Sequence, residues 1–252
     1  MYDLHTHILP GVDDGAPDLE TALAMAKLAL GRGVTHVAAT PHYDSIADWS
    51  AIQEKVGQFS AALKEVDIGI NLVAGAELFM DYNLVELAKE QIPTYNNNGT
   101  YCLIELPMLE IPQYSEQVLF SFKVKGITPI IAHPERYHYV LDNPNLIYEW
   151  INNGYLIQMN AGSITGMFGE KVQQVSKILL EHQMVHILAS DAHSTGRRSF
   201  ILDEGIRAVE KIIGLQDANS FVYQKPRMII AGELFDVPEP VLYKKRKRFF
   251  FF

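Results

Sequence analysis

The sequence is short of the features that mark secreted, membrane-spanning and nucleic-acid-binding chains. It holds a single cysteine, Cys102, so no internal disulfide forms and a thiolate-built zinc site is excluded. No apolar run approaches the roughly 20 residues needed to cross a bilayer. The opening MYDLHTH carries neither the basic segment nor the apolar stretch of a signal peptide, and the expected location is cytoplasmic. Positive charge is scarce: 21 Lys and Arg against 30 Asp and Glu give a formal net charge of -9. That balance argues against nucleic acid as a partner, because phosphate backbones are held by clustered cations. An anionic substrate would have to be attracted locally.

Low complexity is confined to Asn96 to Asn98, which reads as a loop tip, and to the C-terminus, where Lys244-Lys245-Arg246-Lys247-Arg248 precedes Phe249 to Phe252. The expected division is therefore one domain over residues 1–243 and a basic, aromatic tail over 244–252. Two readings of the tail stand side by side. It is a frayed terminus, or it is a peripheral contact at the inner face of the cell membrane, each cation adding on the order of 1 kcal/mol beside anionic lipid.

What is present suits one globular unit of 252 residues, 48% apolar and 20% charged, close to the usual size of a β/α barrel. Seven short apolar runs recur along the chain: Tyr2 to His5, Val34 to Thr40, Ile70 to Gly75, Tyr101 to Leu106, Ile127 to Ala132, Tyr155 to Met159 and Val185 to Ser190. Segments with helical periodicity separate them. In the first, Asp18 is placed to cap a helix whose apolar positions are Leu19, Ala22, Leu23, Ala26 and Leu30, with Gly31 and Gly33 to end it. Further helices are expected over 48–65, 84–90, 115–125, 146–152, 171–183 and 203–213. The pattern predicts a distorted (β/α)7 barrel, single-domain and of the α/β class.

Barrel enzymes carry their chemistry on the loops at the C-terminal ends of the strands, and here every strand runs into a polar, ligand-capable residue. In order these are His5 with His7, His42, Glu77, Glu105, His133, Asn160, and Asp191 with His193. Imidazoles two residues apart, as in His5-Thr6-His7, share one side of an extended strand; Asp191-Ala192-His193 repeats the spacing at the last strand, which adjoins the first in a closed barrel. Adding Asp14 gives five imidazoles and four carboxylates, a hard and borderline set suited to Mn²⁺, with Fe²⁺, Zn²⁺ or Co²⁺ as alternatives. Four carboxylates neutralise two divalent ions and leave three with surplus positive charge, which a phosphate site favours. Arg136 and Arg197 follow the fifth and seventh strands, where their forks could hold phosphoryl oxygens. The bland alternatives remain open from the residues alone. Asp13 and Asp14 precede Gly15 as turn residues do, Glu77 and Glu105 could be carboxylates at emerging strand ends, and His42 and His133 flank prolines. The other histidines have no such placement, and Cys102, inside an apolar strand, reads as core rather than nucleophile.

These residues resemble the PHP (polymerase and histidinol phosphatase) superfamily over nearly the whole chain. Within it HTHILPGVDDGA, ATPHY, GAE, IEL, AHPERY and SDAHSTGR look like the capsule- and exopolysaccharide-operon tyrosine phosphatases. The resemblance implies the PHP barrel and a manganese cluster of two or three ions held by His5, His7, Asp14, His42, Glu77, Glu105, His133, Asp191 and His193. It assigns Asp191 a part in catalysis and phosphate contact to Arg136 and Arg197; a one-residue difference in spacing after His193 would put Arg198 in the latter place. It further implies a phosphotyrosine substrate on a membrane-associated bacterial tyrosine kinase. The alternatives are a small-molecule phosphatase such as histidinol phosphatase, and a metal-stabilised adaptor without catalysis.

Overall fold

The computed structural model describes residues 1–44 and 48–244. Of the tail expected from residue 244 onward, all but Lys244 lies outside the described residues.

Among the described residues nine strands form the barrel: β1 (Tyr2–Thr6), β2 (His36–Ala39), β3 (His42–Tyr43), β4 (Asn71–Ala74), β5 (Glu77–Phe79), β6 (Tyr101–Glu105), β7 (Thr128–Ala132), β8 (Leu156–Asn160) and β9 (Ile187–Ala189). They occupy seven positions, because two strands are interrupted and resume. Pro41 has no N–H to give the ladder and separates β2 from β3; Gly75 separates β4 from β5. A Cβ at Gly75 would lie 2.9 Å from Thr40 Cγ2 and 3.4 Å from Tyr95 Cδ1, so a side chain there would crowd the Thr40 methyl and the Tyr95 ring. Hydrogen bonding runs β1-β2-β4 in one sheet and β3-β5-β6-β7-β8-β9 in the other, every pair parallel. A parallel bridge between Thr6 and Ala192 closes the circuit, with Asp191 N donating to His5 O and His7 N to Ala192 O, each at 2.9 Å. The expected seven-position barrel is the observed one.

The alternation of each strand builds two cores. Leu4, Ala38, Val73, Leu103, Ile130, Leu156 and Ile187, one from each position, meet in a single cluster that fills the barrel. Their outward neighbours, among them Val37, Cys102, Ile104, Ile131, Ile157 and Leu188, pack against the helices. Two residues beyond Leu103 and Leu156 on the same face come Glu105 and Gln158, so the interior turns from apolar to polar toward the strands' C-terminal ends.

Surrounding helices include α1 (Leu19–Gly31), α2 (Trp49–Glu65), α3 (Ser115–Val124), α4 (His138–Asp142), α5 (Asn145–Asn152), α6 (Ala161–Thr165), α7 (Glu170–Glu181), α8 (Leu202–Ile213), α9 (Leu215–Ser220) and α10 (Gln224–Ala231). Asp18 caps α1 by accepting from Thr21 N at 2.8 Å, and Asp48 caps α2 by accepting from Ser50 N at 2.9 Å. The helix expected over 84–90 is instead two 3-10 turns, Tyr82–Val85 and Lys89–Gln91. Asp81 accepts from Asn83 N and Ala88 N donates to Gln91 Oε1; these local side-chain bonds replace the helical ladder over a segment too short to nucleate one. Among the described residues no helix is long and apolar enough to cross a membrane.

Candidate metal centre

The barrel mouth gathers all of the residues proposed from sequence as ligands. Glu77, buried at the start of β5, stands at the centre. Its Oε1 lies 3.0 Å from His133 Nε2 and 3.3 Å from His5 Nε2, and its Oε2 lies 3.0 Å from His42 Nδ1 and 3.4 Å from His7 Nε2. Each carboxylate oxygen thus faces a different pair of imidazoles. Asp191 Oδ1 is 3.5 Å from both His5 Nε2 and His7 Nε2 and 3.4 Å from His193 Nδ1. Asp14, more exposed, sets Oδ1 3.2 Å from His193 Nε2 and 3.4 Å from His42 Nε2. Glu105 Oε1 is 3.5 Å from His133 Nε2. Three sets of donor atoms lie within 4.8 Å of one another: His7, Asp14, His42 and His193; His5, His7 and Glu77; His42, Glu77 and Glu105. They overlap through His7, His42 and Glu77.

Backbone conformation aims two of these side chains. His133 (φ 33°) and Asp191 (φ 55°) both adopt the left-handed region, where a residue with a Cβ is strained. Both fall just past a strand end, where the chain turns sharply over the mouth. In β1 the pairing with β2 shifts register between Asp3 and Thr6, so the strand is irregular where His5 lies.

The electrostatics test whether cations fit. Burial pushes Glu77 up, yet His5, His133 and His42 hold it well below the usual carboxylate range; Asp191 is likewise held well below it by His5 and His7 against burial. Burial would lower His5, but Glu77 and Asp191 raise it, and His7 is raised well above its ordinary value by Asp13, Asp191 and Glu77 despite burial. The direction of these shifts marks a site whose carboxylates favour positive charge beside them. Further on, burial and the Glu77 charge raise Glu105, and burial with His7 pushes His193 down to about 4. A hard, mixed oxygen and nitrogen donor set with excess negative charge suits divalent cations.

The opposite oxygen of Asp191, Oδ2, accepts from Arg136 Nη1 at 3.1 Å, Arg198 Nη2 at 2.8 Å and Asn160 Nδ2 at 2.7 Å. Arg136 also stacks on Phe168 at 4.5 Å. Arg197 is exposed, and the neighbouring Arg198 is the one that reaches the centre, its buried Nε lacking a hydrogen-bond partner. Asp13, which reads as a turn residue in sequence, accepts from His7 Nδ1 at 2.6 Å, from His42 N at 3.0 Å and from Gly15 N at 3.0 Å. It fixes the ring whose other nitrogen faces Glu77 and Asp191, as carboxylates behind metal-ligating histidines do. Its signal in the sequence was only its place beside Asp14. Gln158, accepting from His5 Nδ1 at 2.9 Å, was also missed, although a glutamine two residues before Asn160 in an apolar strand was the available clue. The four remaining histidines stay out of the centre: His36 stacks on Tyr2, His138 opens α4, His182 bonds Ile178 O, and His186 accepts from Ile157 N. Cys102 is buried and its thiol pushed up, which leaves no cysteine nucleophile.

A parallel β/α barrel whose mouth collects imidazoles, carboxylates and two guanidinium groups defines a class, the metal-centred hydrolase barrels. The chain belongs to the CpsB/CapC family of capsular polysaccharide synthesis, which it matches over residues 1–231. It is 34% identical over its whole length to the whole of the tyrosine-protein phosphatase YwqE of Bacillus subtilis. It is 31% identical, over 93% of this chain and all of the relative, to the tyrosine-protein phosphatase CpsB of Streptococcus pneumoniae. A crystal structure from work on YwqE and CpsB, metal-dependent tyrosine phosphatases, superposes with a TM-score of 0.91 at 32% identity, covering 97% of this chain and 100% of that one.

Proposed function

We propose that the chain is a metal-dependent protein-tyrosine phosphatase, with His5, His7, Asp14, His42, Glu77, Glu105, His133, Asp191 and His193 as its metal ligands and Mn²⁺ as the ion. The observation that carries this reading is the convergence on Asp191. One of its oxygens faces three imidazoles and the other accepts from Arg136 and Arg198, so a phosphoryl group held by the guanidinium groups would sit beside the imidazoles that would hold metal. Divalent ions bound there supply Lewis-acid charge to phosphoryl oxygens and acidify water.

The chain's own groups do the rest. Arg136, braced on Phe168, and Arg198, with its unpaired Nε, orient phosphoryl oxygens and offset charge that builds on them. Asp191 holds both guanidinium groups in place. Arg198 takes the phosphate contact, and Arg197 stays at the rim. The buried walls of the centre keep its dielectric low, so each of these charges counts for more than it would in water. Asp191 thereby serves both ions and phosphate, and its loss removes turnover with little change in fold.

The chemistry suits phosphotyrosine on a protein, and a relation to capsule synthesis points to a membrane-associated bacterial tyrosine kinase as substrate. Residues 1–243 carry the phosphatase in this reading, and the basic, aromatic residues 244–252 attach it peripherally to the inner face of the membrane. The test compares hydrolysis of phosphotyrosine peptide, phosphoserine peptide and histidinol phosphate by the Mn²⁺-loaded protein. Selectivity for phosphotyrosine is expected; turnover of histidinol phosphate alone would overturn the substrate.

A further inference from the structure

Behind the metal centre, on β8, two buried amides join the residues of two other strands. Asn160 Nδ2 donates to Asp191 Oδ2 at 2.7 Å, Gln158 Nε2 donates to Asn160 Oδ1 at 2.8 Å, and Gln158 Oε1 lies 2.9 Å from His5 Nδ1. All four side chains are buried, His5 and Asn160 completely. Asn160 is itself pinned, its backbone N–H donating to Glu135 Oε1 at 2.9 Å, and that same oxygen accepts from Ser163 Oγ at 2.6 Å.

The direction of this chain of bonds is set from one end. Asp191 Oδ2 accepts from two guanidinium groups as well as from Asn160, so it presents an acceptor and Asn160 must turn its NH₂ toward it. That turn leaves Asn160 Oδ1 as the acceptor facing Gln158, which must offer its own NH₂. Gln158 Oε1 then faces His5, and His5 must answer with a proton on Nδ1. The remaining nitrogen, Nε2, points at Glu77 and Asp191 at 3.3 and 3.5 Å.

We propose that Gln158 and Asn160 are positioning residues that form a polarised amide relay, through which Asp191 fixes His5 with its proton on Nδ1 and its Nε2 lone pair free for a metal ion. The inference rests on the metal-centre reading and adds to it a reason why the ligand from the first strand is ready before the ion arrives. A flipped amide anywhere along the relay would set two N–H groups or two oxygens face to face with no water to separate them. The arrangement resembles the carbonyl or carboxylate that usually backs a metal-ligating histidine, except that its direction is imposed by a second ligand two residues away along the relay.

The experiment uses full-length protein labelled with ¹⁵N in its histidine rings, metal-free and at a pH where imidazoles are neutral, together with calorimetric titration of Mn²⁺. Wild type is expected to show His5 protonated on Nδ1. Gln158→Met, close in shape but unable to accept a hydrogen bond, is expected to lose that preference and to bind Mn²⁺ roughly 10–100-fold more weakly. Gln158→Glu, protonated on the oxygen that meets Asn160 Oδ1, keeps both the donor toward Asn160 and the acceptor toward His5 and is expected to restore the Nδ1 proton and most of the affinity, a rescue that a merely space-filling role would not give. A wild-type proton on Nε2, or a folded Gln158→Met protein that binds Mn²⁺ as wild type does, overturns the relay. If Gln158→Met does not fold, the ring spectra of wild type and Gln158→Glu decide: Nδ1 in both supports the proposal, and Nε2 in either overturns it. A wild type that takes up no Mn²⁺ would sink the metal reading itself, and the ring spectrum separates that failure from failure of the relay.

Discussion

Replacing Glu77 by glutamine tests the centre where its geometry is most concentrated. The substitution keeps volume and one oxygen but removes the charge that faces four imidazoles at 3.0 to 3.4 Å. The amide must also aim its NH₂ at one of the two imidazole pairs, so that pair would face a donor where a bound ion would need a ligand. A unit charge about 4 Å from each unit of an ion's charge, at an effective dielectric near 20, contributes roughly 4 kcal/mol, or about 8 kcal/mol gross for a divalent ion before water and neighbouring groups compensate. Allowing for the oxygen that remains, Mn²⁺ affinity should fall by about 10²- to 10³-fold, and turnover at fixed metal should fall with it. The assay is calorimetric Mn²⁺ titration beside phosphotyrosine-peptide hydrolysis, with circular dichroism to verify the fold. The reasoning is refuted if folded Glu77→Gln protein binds Mn²⁺ within about threefold of wild type, less than 1 kcal/mol, because a carboxylate that would hold bound metal at the centre could not be that dispensable.

The two adjacent arginines should separate cleanly: Arg198→Ala loses roughly 100-fold in kcat/KM, the cost of one donor to developing charge, while exposed Arg197→Ala stays near wild type; equal losses would return the phosphate contact to Arg197. Asp3 is fully buried with Oδ1 accepting from Ser190 N, and burial raises its carboxyl from 3.8 to about 6. A raised carboxyl favours the folded state when protonated, so its ionisation lowers stability as pH rises through that window; in metal-free protein Asp3→Asn should be more stable at neutral pH by up to about 3 kcal/mol and unchanged near pH 3, as read from denaturant midpoints. His186 runs the other way: burial and Lys225 push it from 6.5 down to about 3, so the unfolded chain takes up the proton first. Its contribution to stability is complete above pH 6.5 and shrinks by about 1.4 kcal/mol per unit as pH falls toward 3. His186→Asn, which keeps an acceptor for Ile157 N, should flatten the acid limb of a Tm-against-pH curve; an unchanged limb would assign acid lability elsewhere.

The barrel was legible because its signals are local. Each strand is a short apolar run, and the residue that leaves its end is polar, so both the seven positions and the candidate ligands follow from period and place. The interruptions were half legible: Pro41 announces a missing N–H, but Gly75 is explained only by the Thr40 methyl on the neighbouring strand. The segment over 84–90 reads as helix because its composition allows one, and the structure shows capping by Asp81 and Gln91 winning over so short a stretch. Short helices such as α6 and α9 carry too few residues for a periodic signal. The supporting groups were hidden for a different reason. Asp13 differs from a turn aspartate only by His7 standing 2.6 Å away, and Gln158 differs from a strand glutamine only by its partners on β1 and by Asn160. Likewise the choice between Arg197 and Arg198 depends on how the loop after His193 folds back, with His193 N and Ser194 N both donating to Arg198 O.

The most direct test of the central claim is phosphotyrosine-peptide turnover followed against bound metal, starting from protein stripped by chelation and adding Mn²⁺ in steps. The account predicts no turnover in the stripped protein and activity that rises with occupancy, saturating at two or three ions per chain. Full turnover by protein verified to be metal-free would contradict it.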